Sequence, residues 1–408
     1  MIAAQYLATE PDARFADAAV PMSLLRERAH NLRWATLPPD VIALTAADPD
    51  FAVAAPIREA ITDYVRGGVF SYGPPAGLPE FRQACARVLQ RRKGWWSCEP
   101  SQIVAVDSAA AGMLHVARFA LAPGDEAIVF DPVDFIFTSA VEAAGGVVRR
   151  LPLDPQTGRF STEALAGLVT ARTRLLCVCN PHNPTGRVFS AEELRALGDL
   201  AVAHDLWILN DEIWSDIVFA PTHFVSLPTL GDAIADRTIT VHGLSKTFGL
   251  AGLRVGFIAA PSAEVARELL AASLASSTMT GVSTLSQVAA TAAYSHCWDW
   301  ADGFVAHLHR QRDHAVARLA RIPGIEVRVP EGTYVLFPKV TARDPRTGAA
   351  MGSEALAAHL LERGRVAVVP GASRWFGPGA EGHLRLVFST SRAILDEGLD
   401  RIAHALAS

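Results

Sequence analysis

The stretch LLCVCNPHNPTG, residues 175–186, decides the fold of this chain. Its first five residues are apolar, as in a buried strand. Asn180 and Asn183 follow where that strand ends. A proline-rich turn would explain the prolines and the glycine of this loop, but not two asparagines at a strand exit. Ligands of parallel α/β sheets bind at the carboxyl ends of strands. The loop therefore indicates a binding site.

Short apolar runs alternate with helical patterns on both sides of this stretch. The predicted strands cover residues 103–106, 126–130, 146–151, 175–179, 207–210, 238–242 and 255–259, and the helical patterns between them include 112–122, 139–144, 191–204 and 232–235. This alternation predicts an α/β fold with a mainly parallel seven-stranded sheet and helices on both faces.

The pattern changes after residue 285 and predicts a second, smaller α+β domain. Its predicted elements are a long helix (285–321), a strand pair (326–329 with 333–337), a helix (353–363), a strand (383–388) and a closing helix (391–407). We expect three parts: an N-terminal segment, 1–45, a large domain, 46–285, and a small domain, 286–408. Pro38 and Pro39 separate the N-terminal segment from the sheet, so we expect it to pack with the small domain.

The composition argues against several classes of protein. The 408 residues are 50% hydrophobic and 19% charged, with a net charge of −5, which offers no general field for nucleic acid or anionic membranes. No apolar run is long enough to span a membrane, and residues 1–11 lack the pattern of a secretion signal. The five cysteines do not suggest a disulfide framework, and Cys177 and Cys179 lack a second pair for a metal. We expect a cytoplasmic protein with no metal, nucleic-acid or membrane partner.

Three further segments place charged residues at or within apolar strands. They are NDEIW (210–214), HGLSKTF (242–248) followed by GLRVG (252–256), and LRL (384–386). Acids at a strand end often only cap a helix, and a lysine there is usually a surface residue with an apolar stem. Arg385, however, lies within an apolar strand and needs a partner. A substrate carboxylate is one candidate.

Together, these segments resemble the fold-type-I pyridoxal-phosphate (PLP) enzymes, the superfamily of aspartate and other class I/II aminotransferases. The resemblance runs from residue 48 to residue 402. The Asn-Pro-Thr-Gly, Asp-Glu, Ser-Lys and C-terminal Arg elements occur in the family's order, with a second Arg eight residues after the Lys. Each element alone is a weak signal, but four in order are a strong one. The resemblance implies PLP fold type I and pyridoxal 5′-phosphate as the cofactor.

The resemblance implies roles for three residues around the cofactor ring. Lys246 would hold PLP as a Schiff base and then act as the general acid/base on Cα, helped by a lowered pKa. Asp211 would face the pyridine nitrogen and keep it protonated, so that the ring acts as an electron sink. Asn183 would hydrogen-bond the phenolic oxygen of the ring and help to hold the substrate.

The resemblance also implies how the phosphate is held. Arg254 would clamp it, with Ser245 and the backbone N–H groups of Ala109 and Ala110 at the start of a helix.

Two more residues connect the site to its partners. Arg385 would grip the α-carboxylate of an amino-acid substrate with its planar guanidinium. Tyr72 resembles the tyrosine that reaches the phosphate of the neighbouring subunit, which implies a homodimer with active sites at the interface.

Several positions depart from the family pattern, and two of them lie where the family contacts the cofactor ring. Trp214 stands where most members have Tyr or His near the phenolic oxygen, and Asp134 stands where a tyrosine usually stacks on the ring. Phe135 or Phe137 would stack instead, or that face of the ring would be open. These changes are either drift or a sign of altered chemistry, as in PLP enzymes of specialised metabolism.

Within the superfamily, three segments favour the cystathionine-β-lyase-like C–S lyases. They are NPHNPTG (180–186), ADPDF (47–51) and FGPGAEG (376–382). We therefore expect a β-elimination on a cysteine S-conjugate. One alternative is an aminotransferase that uses a 2-oxo acid acceptor. Another is a PLP-binding regulatory or interaction protein, against which the retention of Lys246 and Arg385 argues. Lyases and aminotransferases share the removal of the Cα proton, and the sequence predicts that step far better than the one that follows.

Overall fold

The computed structural model describes residues 12–343 and 348–407, so the expectation about a secretion signal in residues 1–11 lies outside it. The strands are β1 (Ile42–Ala43), β2 (Ile103–Val106), β3 (Glu126–Asp131), β4 (Val147–Pro152), β5 (Thr173–Cys179), β6 (Trp207–Asp211), β7 (Thr238–Gly243), β8 (Gly256–Ala259), β9 (Ile325–Glu326), β10 (Val335–Leu336), β11 (Lys339–Val340), β12 (Val366–Ala367), β13 (Val369–Pro370) and β14 (Leu384–Val387). The α-helices are α1 (Met22–Arg28), α2 (Ala55–Arg66), α3 (Pro79–Lys93), α4 (Ala109–Ala120), α5 (Phe135–Ala143), α6 (Thr162–Leu168), α7 (Ala191–Ala203), α8 (Asp232–Ala235), α9 (Ala263–Ala272), α10 (Thr284–His296), α11 (Trp298–Leu319), α12 (Ser353–Arg363), α13 (Ser373–Phe376) and α14 (Arg392–Ala407).

Strands β2 to β8 form one seven-stranded sheet in the order β2-β8-β7-β6-β5-β3-β4. Neighbouring strands are parallel except at β8, which is antiparallel to both β2 and β7. Strands β3, β7 and β8 are buried at every residue, because the sheet is covered on both faces. The prediction of an α/β fold with a mainly parallel seven-stranded sheet is confirmed.

Helix α4 begins at Ala109, shortly after strand β2 ends. Ser108 caps it by accepting a hydrogen bond from the N–H of Ala111 at 3.1 Å. Gly112 lets the helix lie close to the sheet, because a Cβ at this position would come within 2.9 Å of the Val241 side chain in β7. The start of α4 is therefore held firmly against the sheet.

The C-terminal part contains short strands that pair differently from the prediction. Strands β10, β14 and β13 form an antiparallel sheet in that order, and β9 pairs with β11. The predicted pairing of 326–329 with 333–337 is therefore wrong. The segment between those runs bonds elsewhere: the N–H groups of Glu331 and Gly332 both donate to the carbonyl of Gly186. This segment is tied to the Asn180–Gly186 loop instead of forming a hairpin.

The predicted long helix 285–321 is two helices, α10 and α11, separated at Cys297. The backbone of Cys297, at φ −118° and ψ 19°, leaves the helical conformation. The two helices then pack on different neighbours: α10 on α2 and α3, and α11 on α14. Different packing surfaces explain why one continuous helical pattern does not form one helix.

The N-terminal segment makes several contacts with the C-terminal part. Strand β1 pairs in parallel with β12. The carboxylate of Asp17 accepts from the N–H of Ala393 at 2.9 Å, and Arg14 bonds the Asp299 carboxylate at 2.9 Å. The division into 1–45, 46–285 and 286–408 stays a prediction. All five cysteines are buried and free. Within the described ranges, no helix is long and apolar enough to cross a membrane.

Candidate functional site

A cleft of about 380 Å³ lies at the carboxyl ends of the sheet strands, against β14. The predicted site residues that line it are Ala109, Ala110, Phe135, Asn183, Asp211, Trp214, Ser245, Lys246, Arg254 and Arg385. Tyr72 does not line this cleft. The sequence therefore predicted a set of residues that the fold brings together from distant segments.

Lys246 lies three residues after the end of β7 and points into the cleft. Its Nζ donates a hydrogen bond to the carbonyl of Ala47 at 2.7 Å and lies 5.2 Å from the centre of the Trp214 ring. Burial lowers the pKa of the Lys246 ammonium, and the negative charge of nearby Asp48 opposes this effect. A lysine with a lowered pKa can act as a nucleophile and as a proton carrier.

Asp211 is the last residue of β6 and is only 4% exposed. Its Oδ1 accepts from the N–H of Ile213 at 3.0 Å, and its Oδ2 lies 3.9 Å from the Cys179 sulfur. Burial raises the pKa of Asp211 to about 7. The backbone bond resembles the capping role considered for this residue, but no helix follows it. A cation placed against Oδ2 would stabilise the ionised form.

Asn183 and Asp134 are joined at the floor of the cleft. The side-chain N–H of Asn183 donates to Asp134 Oδ2 at 2.8 Å, while Asp134 Oδ1 caps α5 by accepting from Ile136 at 3.2 Å. An amide nitrogen carries two hydrogens, so Asn183 has a second one to offer a ligand. Its Oδ1 is buried and has no partner in the described part of the chain.

Arg385 lies in β14 and is 8% exposed. It donates to the carbonyl of Thr45 at 3.3 Å, lies over the ring of Phe376 at 5.2 Å, and is 3.8 Å from Asp134 Oδ2. Its Nε is buried and lacks a hydrogen-bond partner among the described residues. Burial lowers the pKa of the guanidinium, and Asp134 opposes this. An unsatisfied N–H of a buried arginine suits a carboxylate ligand.

At the opposite end, the cleft offers donors to an anion. Ala109 and Ala110 are the first residues of α4, where N–H groups lack partners inside the helix. A Cβ on Gly256 would come within 3.2 Å of the Ala109 nitrogen, so a glycine leaves that N–H accessible. Arg254 is 62% exposed in its side chain and pairs with Asp107 at 3.6 Å. Ser245 lines the same cleft.

Two aromatic residues of the predicted site line the cleft, and their contacts with the cofactor ring stay predictions. Trp214 is 2% exposed and packs edge-on against Tyr334, with ring centres 4.7 Å apart. Phe135 is 38% exposed and packs edge-on against Trp375 at 5.4 Å. Phe135 therefore presents an accessible face to a ligand, whereas Phe137 also lines the cleft but is only 2% exposed.

Tyr334 and Asp107 are site residues that the sequence interpretation missed. The hydroxyl of Tyr334 donates to the carbonyl of Ala47 at 2.9 Å, which is the acceptor that Lys246 also uses. Asp107 pairs with Arg254. Asp107 ends an apolar strand, so the rule that found the other residues could have found it. Tyr334 sits inside an apolar run and carried no such signal.

Tyr72 lies outside the cleft, with 92% of its surface exposed. It lines a second cleft of about 670 Å³, together with Phe70 and Met279. These two residues are also exposed, at 63% and 76%. Asp107 lines both clefts, so they are neighbours.

The cleft fits PLP on several of these observations. Asp211 is a buried acid that a pyridinium would stabilise, the start of α4 offers N–H groups without partners inside the helix, and Lys246 and Arg254 line the same cleft. The buried, unpartnered atoms of Asn183 and Arg385 mark where further ligand groups would bond.

Comparisons with known proteins show the family of the chain. The model of the family "Aminotransferase class I and II" matches residues 39–402. A probable aspartate/prephenate aminotransferase of Aquifex aeolicus is 34% identical, over 90% of this chain and 91% of the relative. An arginine–pyruvate transaminase of Pseudomonas aeruginosa is 33% identical, over 90% of each chain.

The fold of this chain is also similar to solved structures of aminotransferases. An aromatic aminotransferase from Pyrococcus horikoshii has a TM-score of 0.82 at 30% identity, covering 90% of this chain and 96% of that chain. The aspartate aminotransferase from Rhizobium meliloti has a TM-score of 0.82 at 29% identity, covering 98% and 99%. These four proteins are aminotransferases, so they support the class I/II prediction and not the C–S lyase branch. The chain is a PLP-dependent enzyme that belongs to the class I and II aminotransferase family.

Proposed function

We propose that this enzyme transfers the amino group of an amino acid to a 2-oxo acid. The observation that carries the proposal is that Lys246, Asp211 and Arg385 converge on one cleft, in a chain whose named relatives are aminotransferases. This replaces the C–S lyase interpretation by the alternative that we weighed against it. Those relatives act on chemically different amino acids, so the substrate has to be inferred from this chain's own residues.

Arg385 and Asn183 bind the substrate in this proposal. One terminal nitrogen of Arg385 donates to the carbonyl of Thr45, while its Nε has no partner among the described residues. The guanidinium can therefore still donate two parallel hydrogen bonds to the α-carboxylate. Asn183 offers its second amide hydrogen from the same side of the cleft. Holding the carboxylate at this end directs the amino group and Cα of the substrate towards Lys246.

Lys246 moves the proton. PLP, when bound, supplies an electron sink that stabilises negative charge on Cα and carries the amino group between the two substrates. Lys246 Nζ takes the Cα proton as a neutral amine, and burial favours that neutral form. Nearby Asp48 favours the ammonium form that returns the proton. The same amine can thus take the Cα proton and return it.

Asp211 and the anion-binding end orient the cofactor. The carboxylate of Asp211 would hold a proton on the ring nitrogen, since a facing cation is what its buried position lacks. Arg254, Ser245 and the start of α4 would hold the phosphate. The apolar faces of Trp214 and Phe135 would limit the access of water to the reacting atoms.

We also propose that the enzyme works as a homodimer. Tyr72, Phe70 and Met279 are exposed around the second cleft, which adjoins the phosphate end through Asp107. A neighbouring subunit that covers these residues would bury them and bring its Tyr72 towards this chain's phosphate site. The cytoplasmic location, the three-part domain division and the absence of a nucleic-acid partner stay predictions.

Incubation of the holoenzyme with S-methylcysteine, or with phenylalanine, tests the reaction type. An aminotransferase releases at most one 2-oxo acid per active site until a second 2-oxo acid is added, and then turns over. Continuous release of pyruvate and ammonia from S-methylcysteine without an acceptor would instead establish the C–S lyase reaction. Cofactor binding without reaction towards either amino acid would favour the regulatory alternative.

A further inference from the structure

The pairing of Asp134 with the substrate-binding residues has a consequence for specificity. Asp134 Oδ2 accepts from Asn183 at 2.8 Å and lies 3.8 Å from Arg385. The side chains of Asp134 and Arg385 are 17% and 10% exposed, so water screens their interaction only in part. The positive charge that would receive a substrate carboxylate is therefore already matched by a carboxylate of the protein.

The other cations that line the cleft would bind the cofactor and not the substrate. Its remaining cations among the described residues are Lys246, which would be attached to PLP, and Arg254, which lies at the phosphate end. Asp107 and Asp211 add negative charge to the walls. An α-carboxylate and an α-ammonium enter together as a neutral pair. A second carboxylate on the substrate would enter without a cation of this chain to meet it.

The wall near Arg385 is apolar and aromatic. Phe135 is 38% exposed and contacts Trp375, and Phe376 lies beneath the guanidinium. Leu32 and Val369 complete this side of the cleft. A large apolar side chain would cover these surfaces and remove them from water, which favours binding. Charge and shape therefore select against the same class of substrate.

We propose that Asp134 is a specificity-determining residue: it disfavours a second carboxylate, so the amino donor is a monocarboxylic amino acid with an apolar side chain. This inference rests on the proposed aminotransferase function and names its substrate class. Two like charges about 5 Å apart in a partly screened cleft change a binding equilibrium by about a hundredfold. Aspartate and glutamate are accordingly poor donors, although several relatives are aspartate aminotransferases.

Asp134→Asn removes the charge and keeps the helix cap, since asparagine also caps helices well and retains the oxygen that accepts from Ile136. Its new amide N–H faces Asn183, whose unpartnered Oδ1 can accept it once that amide turns. Asp134→Ser is a second capping residue without the carboxylate. The matched control is Asp199→Asn, the same change on the exposed surface of α7. Melting temperatures of all four proteins verify that they are folded.

The first measurement is the 2-oxo acid formed in a single turnover of holoenzyme with phenylalanine or with aspartate, without acceptor. We expect the parent protein and Asp199→Asn to favour phenylalanine at least tenfold. Asp134→Asn and Asp134→Ser should shift that ratio at least tenfold towards aspartate. A parent enzyme that prefers aspartate, or a ratio that changes less than twofold in both Asp134 variants, overturns the inference.

The second measurement is the affinity of the holoenzyme for succinate and for 3-phenylpropionate, determined by calorimetry without turnover. Removing the charge of Asp134 should tighten succinate binding at least tenfold more than 3-phenylpropionate binding. Equal changes for both ligands contradict the proposal. If no amino acid forms a 2-oxo acid, the proposed function fails, and this affinity ratio still decides the role of Asp134.

Discussion

Lys246 and Tyr334 donate to the same backbone carbonyl. The oxygen of Ala47 accepts from Lys246 Nζ at 2.7 Å and from the Tyr334 hydroxyl at 2.9 Å. Attachment of Lys246 to the cofactor would remove its N–H from Ala47, and Tyr334 would then be the remaining donor of this pair. Tyr334 thus keeps Ala47 satisfied while the lysine changes partners.

Tyr334→Phe should therefore destabilise the holoenzyme more than the apoprotein. The ring contact with Trp214 is retained, and the apoprotein keeps Lys246 as a donor to Ala47. The free energy of unfolding should fall by about 1 kcal/mol in the apoprotein and by up to about 3 kcal/mol in the holoenzyme, where a buried carbonyl loses its donor. Urea unfolding of both forms measures this. An equal loss in both forms would mean that Lys246 does not leave Ala47.

Asp211 should make the apoprotein less stable as the pH rises. Its folded pKa of about 7 lies above the ordinary 3.8, so the folded chain keeps a proton that the unfolded chain loses. This contribution is complete below about pH 4 and disappears as the pH rises to 7, with a slope of up to about 1.4 kcal/mol per pH unit.

The comparison with Asp211→Asn isolates this effect. Urea unfolding of the two apoproteins between pH 5 and 8 should show the parent losing stability relative to the variant until about pH 7. A stability difference that is constant over this range would show that Asp211 is already ionised in the apoprotein.

Arg385→Lys should weaken amino-acid binding even though the charge is kept. An ammonium cannot reproduce two parallel hydrogen bonds to a carboxylate, and losing one charge-assisted bond costs about tenfold in affinity or more. The KM for the amino donor and the Kd of 3-phenylpropionate should both rise. Arg374→Lys is the control and should leave both unchanged, because the Arg374 side chain is 66% exposed and pairs with Glu354. Unchanged values in Arg385→Lys would place the carboxylate elsewhere.

The chain contains only three lysines, Lys93, Lys246 and Lys339, so the cofactor attachment site can be assigned without ambiguity. Lys93 is buried against Asp216 at 2.5 Å, and Lys339 lies in β11. Borohydride reduction of the holoenzyme followed by peptide mapping should place the label on Lys246. A label on either other lysine would contradict the site described above.

The sheet could be predicted from sequence because its buried parallel strands appear as separate apolar runs. The same strands end in the residues that line the cleft, so Asn183, Asp211 and Lys246 could be found by position. The small strands could not be paired correctly, because all of them except β14 are only two residues long.

Contacts between distant segments also had no signal in the sequence. The break at Cys297 depends on which surfaces α10 and α11 pack against, and the pairing of Asp134 with Arg385 depends on the folded cleft. The segments that suggested a C–S lyase contribute residues to the cleft in which both lyases and aminotransferases would remove the Cα proton. They could not separate the two reactions.

The transfer of nitrogen itself tests the central claim most directly. Holoenzyme is incubated with [¹⁵N]phenylalanine and 2-oxobutyrate, and the products are analysed by mass spectrometry. We predict that ¹⁵N appears in 2-aminobutyrate, that phenylpyruvate forms in equal amount, and that Lys246→Ala abolishes both. If no ¹⁵N-labelled amino acid forms from the acceptor with any labelled donor and any 2-oxo acid tried, or if the label is released as ammonium without an acceptor, the assignment of this chain as an aminotransferase is contradicted.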